Sequence, residues 1–288
     1  VKSTIATTET TMSTTPDRDM AAYWDRAGRV WVEHQALLDR IMASIAQAVV
    51  DAAGPVNGEA VLDVGCGSGA TTFAAAWRTG PAGRAVGVDI SPALVELARR
   101  RAGEDGVEGV EFLLADAQTH VFQPAFDTMV SRFGVMFFPD PVAAFANLRT
   151  ALKPDGKLAF AAWRSPEENP LSQVPLRAAA PFLPETPKFE KDAPGRFAFA
   201  DPDRVRRILE EAGWREIEIA PLDTEAPLGF DDLLTMSLRV GPLNPILKDA
   251  DETTRAKVVA AVTAALEPYA RDGMATMTSA SWLVTAKA

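Results

Sequence analysis

Residues 61–70 read Val-Leu-Asp-Val-Gly-Cys-Gly-Ser-Gly-Ala. An apolar run ends in the carboxylate of Asp63, and Gly65, Gly67 and Gly69 follow with Cys66 between the first two. Glycine lets the backbone turn tightly and approach a ligand without a Cβ clash. A helix that starts there aims unpaired N–H groups at the same ligand. Gly65, Gly67 and Ala70 also satisfy the G-x-G-x-x-G/A spacing of dinucleotide loops. Asp63 separates the readings: a carboxylate two residues before the first glycine suits a ligand with positive groups and opposes a pyrophosphate. Cys66 reads as a small filler rather than a nucleophile, with no histidine close in sequence.

Further polar residues recur at the ends of apolar runs. Residues 86–91, Val-Gly-Val-Asp-Ile-Ser, place Asp89 and Ile90 about 20 residues past the glycines, where a carboxylate accepts from ribose hydroxyls. Residues 112–118, Phe-Leu-Leu-Ala-Asp-Ala-Gln, place Asp116, Ala117 and Gln118 just past a third apolar run, where Asp116 could accept from the exocyclic amine of an adenine and the Ala117 N–H could donate to its ring. Residues 126–138 end a fourth run at Ser131, with Arg132 and Phe133 facing the same crevice.

The elements that must position these residues follow from periodicity. Residues 19–51 repeat apolar positions at three- and four-residue steps, which predicts helix, broken at Gly28 into a short and a long piece. Strands are expected at 60–64, 85–88, 110–114, 127–131 and 157–163, and helices at 71–78, 92–102 and 142–152, with Ser91 capping ahead of Pro92. A Pro-Asp-Gly turn at 154–156 precedes the fifth strand. Such alternation makes a parallel sheet covered by helices on both faces. Residues 166–202 break the rhythm with many prolines and read as an insertion over the site's mouth. Residues 203–212 read as helix, a sixth strand starts at 217, 229–271 read mainly as helix and 274–285 as a final strand.

The 288 residues suit one domain, 18–288, behind a Ser/Thr-rich tail at 1–17 expected to be disordered. Within it, 18–54 reads as a helical lid, 55–164 as the cofactor-binding core, and 165–202 with 229–271 as acceptor-side cap elements. A net charge of −10 opposes binding to nucleic acid and to anionic membranes. One cysteine, no long apolar run and no signal-peptide pattern suit a cytoplasmic protein.

In order and spacing these blocks resemble class I S-adenosylmethionine-dependent methyltransferases, within a bacterial small-molecule subgroup. Asp-Val-Gly-Cys-Gly-Ser-Gly at 63–69, Val-Asp-Ile-Ser at 88–91, Ala-Asp-Ala at 115–117 and Leu-Lys-Pro-Asp-Gly-Lys at 152–157 carry the resemblance. It implies an α/β, Rossmann-like doubly wound sheet of seven strands, order 3-2-1-4-5-7-6, with the seventh antiparallel. It also implies S-adenosylmethionine as cofactor and places Tyr23 and Trp31 on an N-terminal lid, although both also suit plain core packing.

The expected reaction is in-line methyl transfer to an O-, N- or C-nucleophile of a small molecule, releasing S-adenosylhomocysteine. Alignment and exclusion of water supply the catalysis, so no triad is required. Where a base is needed, His34 is the first candidate, ahead of His120. No metal is expected. Phe182, Leu183, Phe189, Phe197 and Phe199 suggest an apolar or aromatic acceptor. Rival readings are a nicotinamide-dependent oxidoreductase, a non-catalytic scaffold, and a cofactor-binding enzyme of non-methylating chemistry such as cyclisation. The short-chain version of the first requires Tyr-x-x-x-Lys, but Ala27 and Gly273 stand four residues past the only tyrosines, Tyr23 and Tyr269.

Overall fold

The computed structural model describes residues 19–184 and 192–288. The tail at 1–17 and Phe189 lie outside them. Two helices come first, α1 (Met20–Glu33) and α2 (Gln35–Ala53). Strands and helices then alternate: β1 (Ala60–Val64), α3 (Ala70–Thr79), β2 (Arg84–Asp89), α4 (Pro92–Glu104), β3 (Val110–Leu114), β4 (Phe126–Arg132), α5 (Pro141–Thr150) and β5 (Leu152–Trp163). Next are α6 (Pro170–Ala179), α7 (Pro202–Glu211), β6 (Arg215–Gly229), α8 (Phe230–Thr235), α9 (Leu243–Asp249) and α10 (Glu252–Leu266). A two-residue strand, β7 (Ala270–Arg271), and the long β8 (Met274–Lys287) end the chain.

The sheet runs β3-β2-β1-β4-β5-β8-β6, with β7 attached to β8 alone. The first five strands pair in parallel, and β8 runs antiparallel to both β5 and β6. This is the expected order; the reversed strand is eighth only because β7 precedes it. All five residues of β1 are buried, so the centre of the sheet is covered on both faces. Leu38, Ile41, Ile45 and Val49 of α2 join Leu62, Met129 and Phe160 of the strands in one core. Full burial of each such side chain contributes roughly 1.5–3 kcal/mol.

Several local expectations need correction. Gly28 does not break the first helix. The break falls at His34, which ends α1 and precedes α2. A Cβ on Gly28 would come within 2.2 Å of Ser91 Oγ, so this glycine lets α1 run close against the start of α4. Ser91 holds the N-cap position of α4, but its side chain makes no capping bond. The Pro-Asp-Gly turn lies inside β5 rather than before it. Phe126 pairs with Leu152 and Thr128 with Lys157, so residues 153–156 loop out as a bulge, with Asp155 at φ +60°. The proline-rich insertion contains a helix, α6, with Pro170 in its first turn and Pro175 inside it. Among the described residues, no helix is long and apolar enough to cross a membrane and no cluster of ligating side chains could hold a metal.

Candidate functional site

The parallel strands β1–β5 all end at one edge, and the residues singled out above lie along it. Hydrogen bonding fixes the glycine loop there. The N–H groups of Gly65 and Cys66 both donate to the Val88 carbonyl, at 2.8 and 3.1 Å. Gly65 lies against the turn after β4: a Cβ on it would come within 2.6 Å of Gly134 Cα. Gly67, at φ +54°, has nothing within 4 Å of its would-be Cβ. Its conformation and the space beside it make room for a ligand. Gly69 caps α3. Cys66 is buried with Val95, Ala98 and Phe112, and burial pushes its thiol well above the usual range, as suits a filler.

Asp89, at the end of β2, accepts from the Gly67 N–H at 2.8 Å through Oδ2 and from the Ser91 N–H at 2.9 Å through Oδ1. Burial raises its pKa against the pull of these N–H groups. Each carboxylate oxygen keeps acceptor capacity for one further donor. Asp63 is wholly enclosed, at 0% exposure. Its Oδ2 accepts from the Thr72 hydroxyl at 2.7 Å, while Oδ1 has no partner. Burial pushes its pKa up to about 7; Thr72 and the charge of Arg132 oppose this, and Asp89 adds to it. Arg132 lies in the field of Asp39 and Asp63, yet its Nη1 is enclosed without a partner.

Toward β3, Asp116 is exposed and accepts from the Gln118 N–H at 2.9 Å, while Ile90 is half-buried. Ala117 is buried, with its carbonyl accepting from Asn147 at 3.1 Å. Toward β4, Ser131 is committed elsewhere. Its hydroxyl donates to the Val64 carbonyl at 2.7 Å and accepts from the Gly134 N–H at 3.2 Å, joining the ends of β1 and β4. Phe133, at φ +63°, stacks on Trp163 with centroids 4.4 Å apart and planes 6° from parallel.

Helix α1 covers this end. Tyr23 stacks on Phe137, and Trp24 meets Phe137 edge-on at 4.9 Å. Trp31 touches Trp24 and the core. His34 sits at the α1–α2 junction, its Nε2 enclosed without a partner, and His120 packs on Phe122. Phe199, expected at the acceptor side, is core: it is fully buried beside Phe145 and Phe160.

Three contributors carry no local signal in the sequence. Thr72 lies in the first turn of α3, nine residues past the carboxylate it binds. Arg101 of α4 donates to the Ser68 carbonyl at 2.6 Å and to Asp39 of α2 at 2.7 Å, tying the glycine loop to α2. Arg196 lies 4.7 Å over the Trp163 ring.

Comparison with known proteins gives this edge a family. A profile described as a methyltransferase domain matches residues 55–213. Aklanonic acid methyltransferase DauC of Streptomyces sp. (strain C5) is 38% identical over 137 residues, 47% of this chain and 58% of that protein. Nocamycin O-methyltransferase of Saccharothrix syringae is 31% identical over 190 residues, covering 63% of this chain and 68% of that one. The match thus spans little more than half of the first relative's length. The solved structure of the [4+2]-cyclase SpnF shares the fold at a TM-score of 0.54 and 18% identity, covering 91% of this chain and 96% of that one.

Proposed function

Because this chain belongs to the S-adenosylmethionine-dependent methyltransferase family and takes that cofactor, we propose that the glycine-loop edge holds it and that the Phe133–Trp163 end receives a small-molecule acceptor. The carrying observation is the Gly67–Asp89 clamp, which leaves open space beside Gly67 and spare acceptor capacity on both Asp89 oxygens. Asp89 would accept from the ribose hydroxyls. The unpaired Oδ1 of Asp63 suits the ammonium of the methionine moiety, and the unpaired Nη1 of Arg132 suits its carboxylate. Ile90, Asp116, Ala117 and Gln118 would flank the adenine. Ser131 would act indirectly, by holding the ends of β1 and β4 together. When bound, the sulfonium supplies an activated methyl group.

The protein's own contribution is alignment and exclusion of water. Residues 18–54 form the lid in this reading, with Tyr23 at its site end. The elements at 165–202 and 229–271 flank the acceptor. His34 would serve as base only for an acceptor that arrives neutral. The cyclase SpnF gives the second reading its support: the fold also houses non-methylating chemistry.

Calorimetric titration with S-adenosylhomocysteine, with NAD and NADP as controls, tests the assignment. One-site binding of S-adenosylhomocysteine alone is expected. In Asp89→Asn it should weaken by about ten- to a hundredfold, the equivalent of one charge-assisted hydrogen bond at roughly 1.5–3 kcal/mol. Unchanged affinity in that variant would remove Asp89 from the site, and binding of a nicotinamide dinucleotide instead would overturn the cofactor assignment.

A further inference from the structure

A guanidinium taken out of water is costly unless a carboxylate or a set of carbonyls meets it. Most of the partly buried arginines here follow that rule. Arg101 pairs with Asp39 at 2.7 Å, Arg164 with Asp223 at 2.8 Å and Arg204 with Asp192 at 3.1 Å. Arg132 has the charges of Asp39 and Asp63 beside it. Arg196 departs from the pattern. It is partly buried, yet among the described residues no carboxylate and no hydrogen-bond acceptor meets its guanidinium. Its contacts are the faces of Trp163, at 4.7 Å, and Phe197, at 6.0 Å, and the titratable group beside it is the phenol of Tyr23.

The placement of Arg196 is fixed by its surroundings. The Gly195 N–H donates to the Met136 carbonyl at 3.1 Å, which pins the segment to the turn after β4. Arg204 donates to the Ala198 carbonyl at 2.8 Å, and the Trp282 indole N–H to the Ala200 carbonyl at 2.9 Å. Phe133 covers the ring of Trp163 at 4.4 Å. Arg196, Trp163 and Phe133 therefore form a stack at the ends of β4 and β5, beside Tyr23 of the lid. Stacking occupies the face of a guanidinium and leaves its edge donors available. Those donors form a fork that fits an oxyanion.

We propose that Arg196 recognises the acceptor, and that the acceptor is an acidic, otherwise apolar molecule whose ionised oxygen pairs with this guanidinium. A carboxylate and an acidic phenolate share that chemistry. The inference rests on the methyltransferase reading of the neighbouring edge and adds the charge of the substrate.

The test uses the full chain saturated with S-adenosylhomocysteine and two matched pairs of probes: naphthoate with neutral naphthamide, and picrate with neutral trinitrobenzene. The wild type should bind at least one anion about tenfold tighter than its neutral twin, as a charge-assisted pair requires. The preferred anion then names the acid. In Arg196→Met the preference should vanish, and in Arg196→Lys part of it should survive. Unchanged S-adenosylhomocysteine affinity in both variants would show that they are folded. Equal binding of both members of each pair by the wild type, no binding of either anion, or a preference that persists in Arg196→Met would overturn the proposal. Failure of the wild type to bind S-adenosylhomocysteine would instead sink the methyltransferase reading, while the same probes without it still report on Arg196.

Discussion

Asp63 ionises only near neutrality, at about 7, because it is fully enclosed and has a single hydrogen-bond donor. The sign of its effect on stability follows. Its ordinary value is 3.8, so the folded state holds the proton more tightly than the unfolded chain does. The contribution is fully present below the ordinary value and is lost as pH rises through the folded one. Between those limits it changes by about 1.4 kcal/mol per pH unit. The cofactor-free protein should therefore lose Tm between about pH 5 and pH 7.5, and Asp63→Asn should flatten that loss. An ammonium placed beside Asp63 favours its ionised form, so S-adenosylhomocysteine affinity should strengthen over the same window in the wild type alone. Thermal melts and titrations across pH check both, and a slope unchanged in Asp63→Asn would refute them. Asp63 and Asp89 were legible as edge carboxylates because each ends an apolar run beside glycine or serine. The bond from the Ser131 hydroxyl to the Val64 carbonyl has no local signature, because its partner lies 67 residues away.

Among the elements, the contact between α2 and the glycine loop is the consequential one. Arg101 joins the Ser68 carbonyl to Asp39, with the two side chains 18% and 21% exposed, and its guanidinium lies 5.2 Å over the Phe73 ring. Arg101→Met keeps an apolar stem on that ring and removes both bonds. The expected loss is about 1–2 kcal/mol of cofactor binding, roughly a tenfold weaker titration, with a small drop in Tm. An unaltered affinity beside a lowered Tm would make this bridge purely structural. Helix periodicity revealed α1 and α2 but misplaced their junction. Gly28 resembles a breaker in isolation; packed on Ser91, it is the residue small enough for two helices to approach.

At the scale of the whole molecule, β8 decides cohesion. It lies between β5 and β6 and pairs with both along most of its length. Ending the chain at Gly273 would strand β6 and expose the edge of β5, including the buried Phe160 and Ala161. Such a truncation should abolish cooperative melting and near-ultraviolet circular dichroism, and a sharp melt in the truncated chain would contradict this. The sequence alone determined the strand–helix alternation, the glycine loop and the acidic strand ends, because these depend on steric and hydrogen-bonding rules that act within a few residues. The strand order came from family resemblance and agrees with the sheet observed. Only the tertiary structure brought Arg101 to Asp39, turned Ser131 to Val64 and laid Arg196 on Trp163, because each contact joins distant segments whose meeting depends on how the helices and loops pack against the sheet.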